Sequence, residues 1–162
     1  MSEYVDNKAL RKLLLGREVA RAASVLPQTV VSPGTPYYTI YGGKVLVTGL
    51  VGEIVTANVG GACAVSWFHA PSGAIGTGAL LTDATTITTW VVGDILSVSG
   101  LLTAVMSPTV HASSGVMLES GGKGILLMPG NLGMISTTSV AGNWKWTLTY
   151  IPIDDGAYIR AV

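Results

Sequence analysis

The sequence predicts a mainly β protein, an antiparallel β-sandwich preceded by an N-terminal helix and a proline-rich arm. Three observations carry this reading. In the stretch Asn143–Gly156, Trp144, Trp146, Leu148 and Tyr150 alternate with Lys145, Thr147 and Thr149. Alternation at period two is the pattern of a half-buried strand. Its apolar face is the largest single deposit of apolar surface in the chain, each large side chain being worth roughly 1.5–3 kcal/mol when fully buried. Second, 21 glycines punctuate short β-branched runs from Tyr37 onward, the mark of many short strands rather than of a helix-covered parallel sheet. Third, the composition changes abruptly at Ser24, where a charged amphipathic stretch gives way to Pro27, Pro33, Gly34 and Pro36.

Taken in order, residues 3–23 read as a helix. Glu3 and Asp6 lie early and Arg17 and Arg21 late, as the helix dipole prefers. Val5, Ala9, Leu10, Leu13 and Leu14 form a stripe at three- and four-residue spacing, while Gly16 weakens the middle by about 1 kcal/mol relative to alanine. Residues 24–36 follow as a linker or extended arm. The division is thus residues 1–36, helix and arm, and residues 37–162, the β domain. The helix either closes the sandwich core or reaches out to a neighbouring subunit. The second reading is preferred because its composition is unlike that of the domain, and an isolated helix of this length is marginal in water. It makes Leu10, Leu13, Leu14, Arg17 and Arg21 the candidate interaction residues.

Strands are expected near 37–41, 44–51, 53–58, 62–69, 74–81, 86–92, 94–99, 101–106, 109–112, 115–119, 124–128, 133–138, 143–151 and 157–161. Turn signals separate them at Gly42-Gly43, Gly52, Gly60-Gly61, Pro71-Ser72-Gly73, Gly93-Asp94, Gly100, Gly121-Gly122, Pro129-Gly130 and Gly142-Asn143. Pro152 ends regular pairing, and Asp154-Asp155-Gly156 supplies a turn. A two-sheet jelly roll accommodates about eight main strands with surplus hairpins as insertions. The glycines keep no fixed period, which excludes a solenoid or propeller.

Composition bounds the function. Only 11% of residues are charged, against about 25% in ordinary soluble proteins. Residues 1–23 hold five positive and three negative charges, and the remaining residues hold four and six. So sparse a charge on the β domain suggests a surface covered by other subunits. No apolar run of 18 or more residues occurs, and Leu13-Leu14-Leu15 is too short for a signal-peptide core, so no membrane partner is expected. Net charge is zero, which gives no support to nucleic-acid binding, and the single Cys63 cannot form an internal disulfide.

Residues that carry chemistry do not assemble into a site. His69 and His111 are far apart and lack metal-ligand spacing. Cys63 reads as a buried structural cysteine sharing a face with Val65 and Trp67, since no basic residue lies near it to lower its pKa. Gly42-Gly43-Lys44 and Gly121-Gly122-Lys123 lack the remaining residues of a phosphate loop. Asp154-Asp155 is explained by a turn, with calcium as the minor reading, and no nucleophile elbow occurs. No catalytic, cofactor or metal residue is therefore assigned, and the expectation is a protein that is not an enzyme and needs no cofactor.

Near its start the β region runs Thr39-Ile40-Tyr41-Gly42-Gly43-Lys44-Val45-Leu46-Val47-Thr48-Gly49-Leu50-Val51-Gly52-Glu53-Ile54-Val55-Thr56. Near its end it runs Gly142-Asn143-Trp144-Lys145-Trp146-Thr147-Leu148-Thr149-Tyr150-Ile151-Pro152-Ile153. This pairing resembles virion structural proteins of tailed bacteriophages of the jelly-roll kind. The resemblance implies a capsid cement or decoration protein, made in the host cytoplasm and carried on the capsid surface. It also implies the major capsid protein as partner and a homotrimer. The alternative is a tail or fibre module that recognises glycans, for which exposed Trp90, Trp67 or Tyr37-Tyr38 would form the stacking platform.

Overall fold

The computed structural model describes residues 16–25, 35–59, 62–72, 79–87, 90–98, 107–109, 124–138 and 141–162. In chain order the strands among these are β1 (Arg17–Val25), β2 (Thr35–Tyr41), β3 (Val45–Val59), β4 (Ala64–Pro71), β5 (Ala79–Leu80), β6 (Thr85–Thr86), β7 (Ile95–Ser97), β8 (Ser107–Thr109), β9 (Ile125–Leu127), β10 (Gly130–Ser136), β11 (Ala141–Pro152) and β12 (Tyr158–Ala161). They form two antiparallel sheets. The first runs β1-β11-β3-β7-β8, with β9 also on β3, and the second runs β12-β2-β10-β4-β5, with β6 also on β4. The protein is a mainly β, two-sheet sandwich. Four of the pairs are nested: β1 with β11, β2 with β10, β3 with β7, and β4 with β5. The main chain thus follows a long hairpin rolled over on itself, its successive strands crossing between the sheets.

The alternating stretch builds the wall it promises. Trp144, Trp146, Leu148 and Tyr150 all point into the core from β11, which lies between β1 and β3 in the first sheet. Trp146 meets Trp67 of the second sheet edge to face, with ring centroids 4.8 Å apart, and this contact spans the two layers. Trp144 stacks on Trp146 at 5.8 Å, and Tyr37 meets Trp67 at 5.6 Å. Edge-to-face and offset pairs of this kind add to simple area burial.

Several elements differ from the sequence expectation, among them the strand expected at 86–92, where the described residues keep only Thr85–Thr86 as strand. Residues 17–23 are not helical: Arg17–Val25 is an edge strand in register with β11, from Arg17 opposite Tyr150 to Val25 opposite Asn143. The helix-forming residues of this stretch are overridden because pairing with β11 satisfies the backbone and packs Val19 against the core. Gly16, at φ +86°, marks the break before the strand. The remainder of the expected helix, with Leu10, Leu13 and Leu14, lies outside the described residues. The expected arm also contributes Ser24 and Val25 to β1 and Thr35 and Pro36 to β2.

Another difference is Gly52, expected to mark a turn between two strands. It lies in the middle of the single strand β3, opposite Trp146. A Cβ placed there would meet the Trp146 ring at 2.6 Å, so the glycine makes room for an indole rather than reversing the chain. The register of β3 on β11 shifts at Thr48, the extra residue of a bulge. The shift lets Val45 and Val47 on one side, and Leu50 and Ile54 on the other, all face the core despite their change of parity. Gly142-Asn143 likewise lies within β11 instead of forming a turn.

Candidate functional site

Among the described residues the chemistry-bearing side chains are built into the sandwich, and His111 lies outside the described residues. His69, on β4, is buried, and its Nε2–H donates to the Met128 carbonyl at 3.0 Å. Burial lowers its pKa below the usual histidine value, partly offset by that bond. Cys63 is buried with Val65 and Trp67, its Sγ 3.3 Å from the Thr138 carbonyl, and burial pushes its thiol pKa up. Such surroundings are those of a buried, weakly acidic thiol. Lys44 forms an ion pair with Asp154 at 3.6 Å, and its backbone N–H donates to Asp154 Oδ2 at 2.8 Å. Asp154 thus ties the turn between β11 and β12 to the start of β3. Among the described residues no three His, Cys, Asp or Glu side chains form a metal-sized group.

The interaction residues expected from sequence divide. Arg17 and Arg21 are on β1, and Leu10, Leu13 and Leu14 lie outside the described residues. Arg21 turns inward across the edge of the sandwich. Its guanidinium sits 4.0 Å above the Tyr37 ring, Nε donates to the Val162 carbonyl at 3.1 Å, and Nη1 reaches Ser24 Oγ. One side chain therefore joins the edge of the first sheet to the second.

The proposed sugar-stacking platform is not at the surface. Trp90, Trp67, Tyr37 and Tyr38 are at most 5% exposed. Tyr37 and Tyr38 are neighbours in sequence yet both enter the core, because a bulge on β2 places Leu132 opposite Tyr38 and Gly133 opposite Pro36. Around Trp67 the hydroxyl of Tyr38 and the indole N–H groups of Trp67 and Trp146 make no hydrogen bond. The Tyr37 hydroxyl also lacks one of ordinary geometry, although Ser24 lies close enough to ease its ionisation. Desolvation nevertheless pushes the Tyr37 pKa up to about 12, with Arg21 acting against it, and raises that of Tyr38 as well.

What the surface offers is an apolar end. Leu46 on β3 is in register with Leu126 of β9 on one side and Ile151 of β11 on the other. Cross-strand partners share a face, so the three make a row on the outside of the first sheet. Leu126 and Ile151 are exposed, as are Met128 and Ile153 one step further along. Ile153 is held there by its N–H, which donates to the Lys44 carbonyl at 3.0 Å. The turn at Gly42-Gly43 packs against that at Gly156, and a Cβ on Gly42 would meet the Gly156 carbonyl oxygen at 2.3 Å. The same end therefore also carries Tyr41 and Tyr158, exposed partners on β2 and β12 whose rings stack at 5.1 Å.

Sequence reasoning missed this end, though the signal was present. The outward positions of β11 are Lys145, Thr147 and Thr149, and the same phase continues into Ile151 and Ile153. The solvent face of this strand thus changes from polar to apolar along its length. Comparison with protein-family models, with curated proteins and with solved structures found no match to this chain.

Proposed function

We propose that the chain is a structural subunit of a tailed-phage virion, a capsid cement or decoration protein that stabilises the shell by burying its apolar end against neighbouring subunits. The nested pairing within a two-sheet sandwich supports a jelly-roll reading, a plan used by capsid domains and lectins among others. A fold hosts many functions, so the reading is carried by the apolar end itself. Leu126, Met128, Ile151 and Ile153 are presented to water on a domain with few charges, an arrangement that suits a surface covered in the assembled state. The major capsid protein is the proposed partner, and a homotrimer is the proposed form. A modest contact repeated over many sites is strong by avidity.

The test is the copy number of the protein in purified virions by quantitative mass spectrometry, together with binding of the purified chain to expanded shells. Hundreds of copies, and binding lost in Leu126→Asp, support cement. A handful of copies, or none, overturns it. The stacked Tyr41–Tyr158 pair favours a second reading, glycan recognition by a tail module. Low copy number with glycan-array binding that Tyr41→Ala abolishes would establish that reading instead.

A further inference from the structure

We propose that the outer face of the second sheet is a saccharide-binding site, built on the Tyr41–Tyr158 stack and selective for sugars that carry a carboxylate. The site rests on the glycan reading of that pair, and not on copy number or on a place in the tail. Ile40, Ile159 and Leu132 fill the core, so their neighbours Thr39, Tyr41, Tyr158, Arg160 and Asn131 face outward. Register gathers these five into two rows. Tyr158 is opposite Tyr41, and two residues along Arg160 is opposite Thr39, with Asn131 beyond Thr39 on the next strand. Both rings are exposed, and they stack with 22° between their planes. Each ring therefore covers one face of the other and keeps its second face. A tyrosine offers an apolar body and a polar tip. That matches a pyranose, whose C–H groups lie on its faces and whose hydroxyls lie around its rim.

The adjoining row supplies the polar partners. Thr39 Oγ1 donates to Asn131 Oδ1 at 3.1 Å, which fixes the amide and leaves its N–H groups without an acceptor among the described residues. Arg160 is exposed and has no ion pair or hydrogen bond among the described residues. A guanidinium with its donors open takes a carboxylate in a bidentate pair, and this makes the ligand an acidic sugar. Rows two residues apart are separated by roughly 7 Å, and three strands span roughly 10 Å. A patch of that size is far below the roughly 800 Å² that each partner buries in a stable protein interface. It suits one or two sugar rings. The patch lies on the outside of the second sheet and the row Leu46, Leu126 and Ile151 on the outside of the first, so the two are separate surfaces.

The test is an array of uronate-containing saccharides and their carboxyl-reduced, neutral counterparts, probed with the labelled full chain and followed by calorimetry on the pairs that bind. The acidic member of each pair is expected to bind about tenfold more tightly, the size of one charge-assisted bond, and this preference should shrink as salt rises. Tyr41→Ala and Tyr158→Ala should each abolish binding, while Tyr41→Phe, which keeps the ring, retains most of it. Arg160→Gln should remove the acidic preference and leave binding to the neutral sugar unchanged. These side chains are exposed, and a urea midpoint equal to that of the native chain identifies a variant that has kept the fold. Asn131→Ala, expected to bind several-fold more weakly, serves where another variant has not. No binding anywhere on the array overturns the proposal. So does binding confined to neutral sugars, or binding that survives Tyr41→Ala and Tyr158→Ala together. Virion copy number enters none of these readouts, so the site can fail while the structural role stands, and the reverse.

Discussion

At the scale of single residues the aromatic core makes opposite demands on two tyrosines. The Tyr38 hydroxyl is buried without a partner, whereas the Tyr150 hydroxyl accepts the backbone N–H of Ile159 at 3.2 Å. Removing an unpartnered polar group recovers its desolvation cost, while removing a partner orphans a buried donor. Tyr38→Phe is therefore expected to raise stability by about 1 kcal/mol and Tyr150→Phe to lower it by about 1–3 kcal/mol, read as shifts in urea midpoint. His69 gives a pH dependence. Its folded pKa lies below the unfolded value of about 6.5, so the unfolded chain binds the extra proton first. The stability it contributes is present above that value and is lost as pH falls through the folded pKa. Urea midpoints should fall between pH 7.5 and pH 5 for the native chain and fall less for His69→Gln. The inward set Trp144, Trp146, Leu148 and Tyr150 was legible from alternation alone. The burial of both Tyr37 and Tyr38 was not, since a bulge leaves no mark in a periodicity that it interrupts.

Among the elements β1 is the instructive one. Its sequence has the residues of a helix and its position makes it a strand, because β11 offers a partner that local propensity cannot register. Deleting residues 1–25 is expected to uncover the edge of β11 and the core beneath it. The shortened chain should lose cooperative unfolding or aggregate, while the chain lacking only residues 1–15 keeps its far-ultraviolet β spectrum. Arg21→Ala removes the cation–π contact and the bond to the Val162 carbonyl. A loss of about 1–2 kcal/mol is expected, with Arg21→Lys retaining part of it because an ammonium keeps the charge and loses the planar stack. Most of the described strands were foreseen within a few residues, since glycine and proline bracket them, and those expected at 101–106 and 115–119 lie outside the described residues. Gly52 was misread because a glycine that yields space to an indole looks, in sequence, like one that turns the chain.

For the molecule as a whole the sandwich was legible and the apolar end was not. The core is declared by which residues are apolar, but the end depends on register between Leu126, Leu46 and Ile151, which lie on three separate strands. The nested pairing joins residues far apart in the chain, and such topologies fold in milliseconds to seconds or slower. Stopped-flow tryptophan fluorescence should place this chain at the slow end of that range. The position of β11 between β1 and β3 also bears on how the protein is made. A ribosome delivers β1 and β3 long before the strand that separates them, so through most of synthesis β1 lacks its partner and one edge of β3 stays open. Pairing the two directly would put the wrong strands together. The nascent chain is thus safest when its early strands are kept apart, and the folded state becomes available only when residues 141–152 emerge.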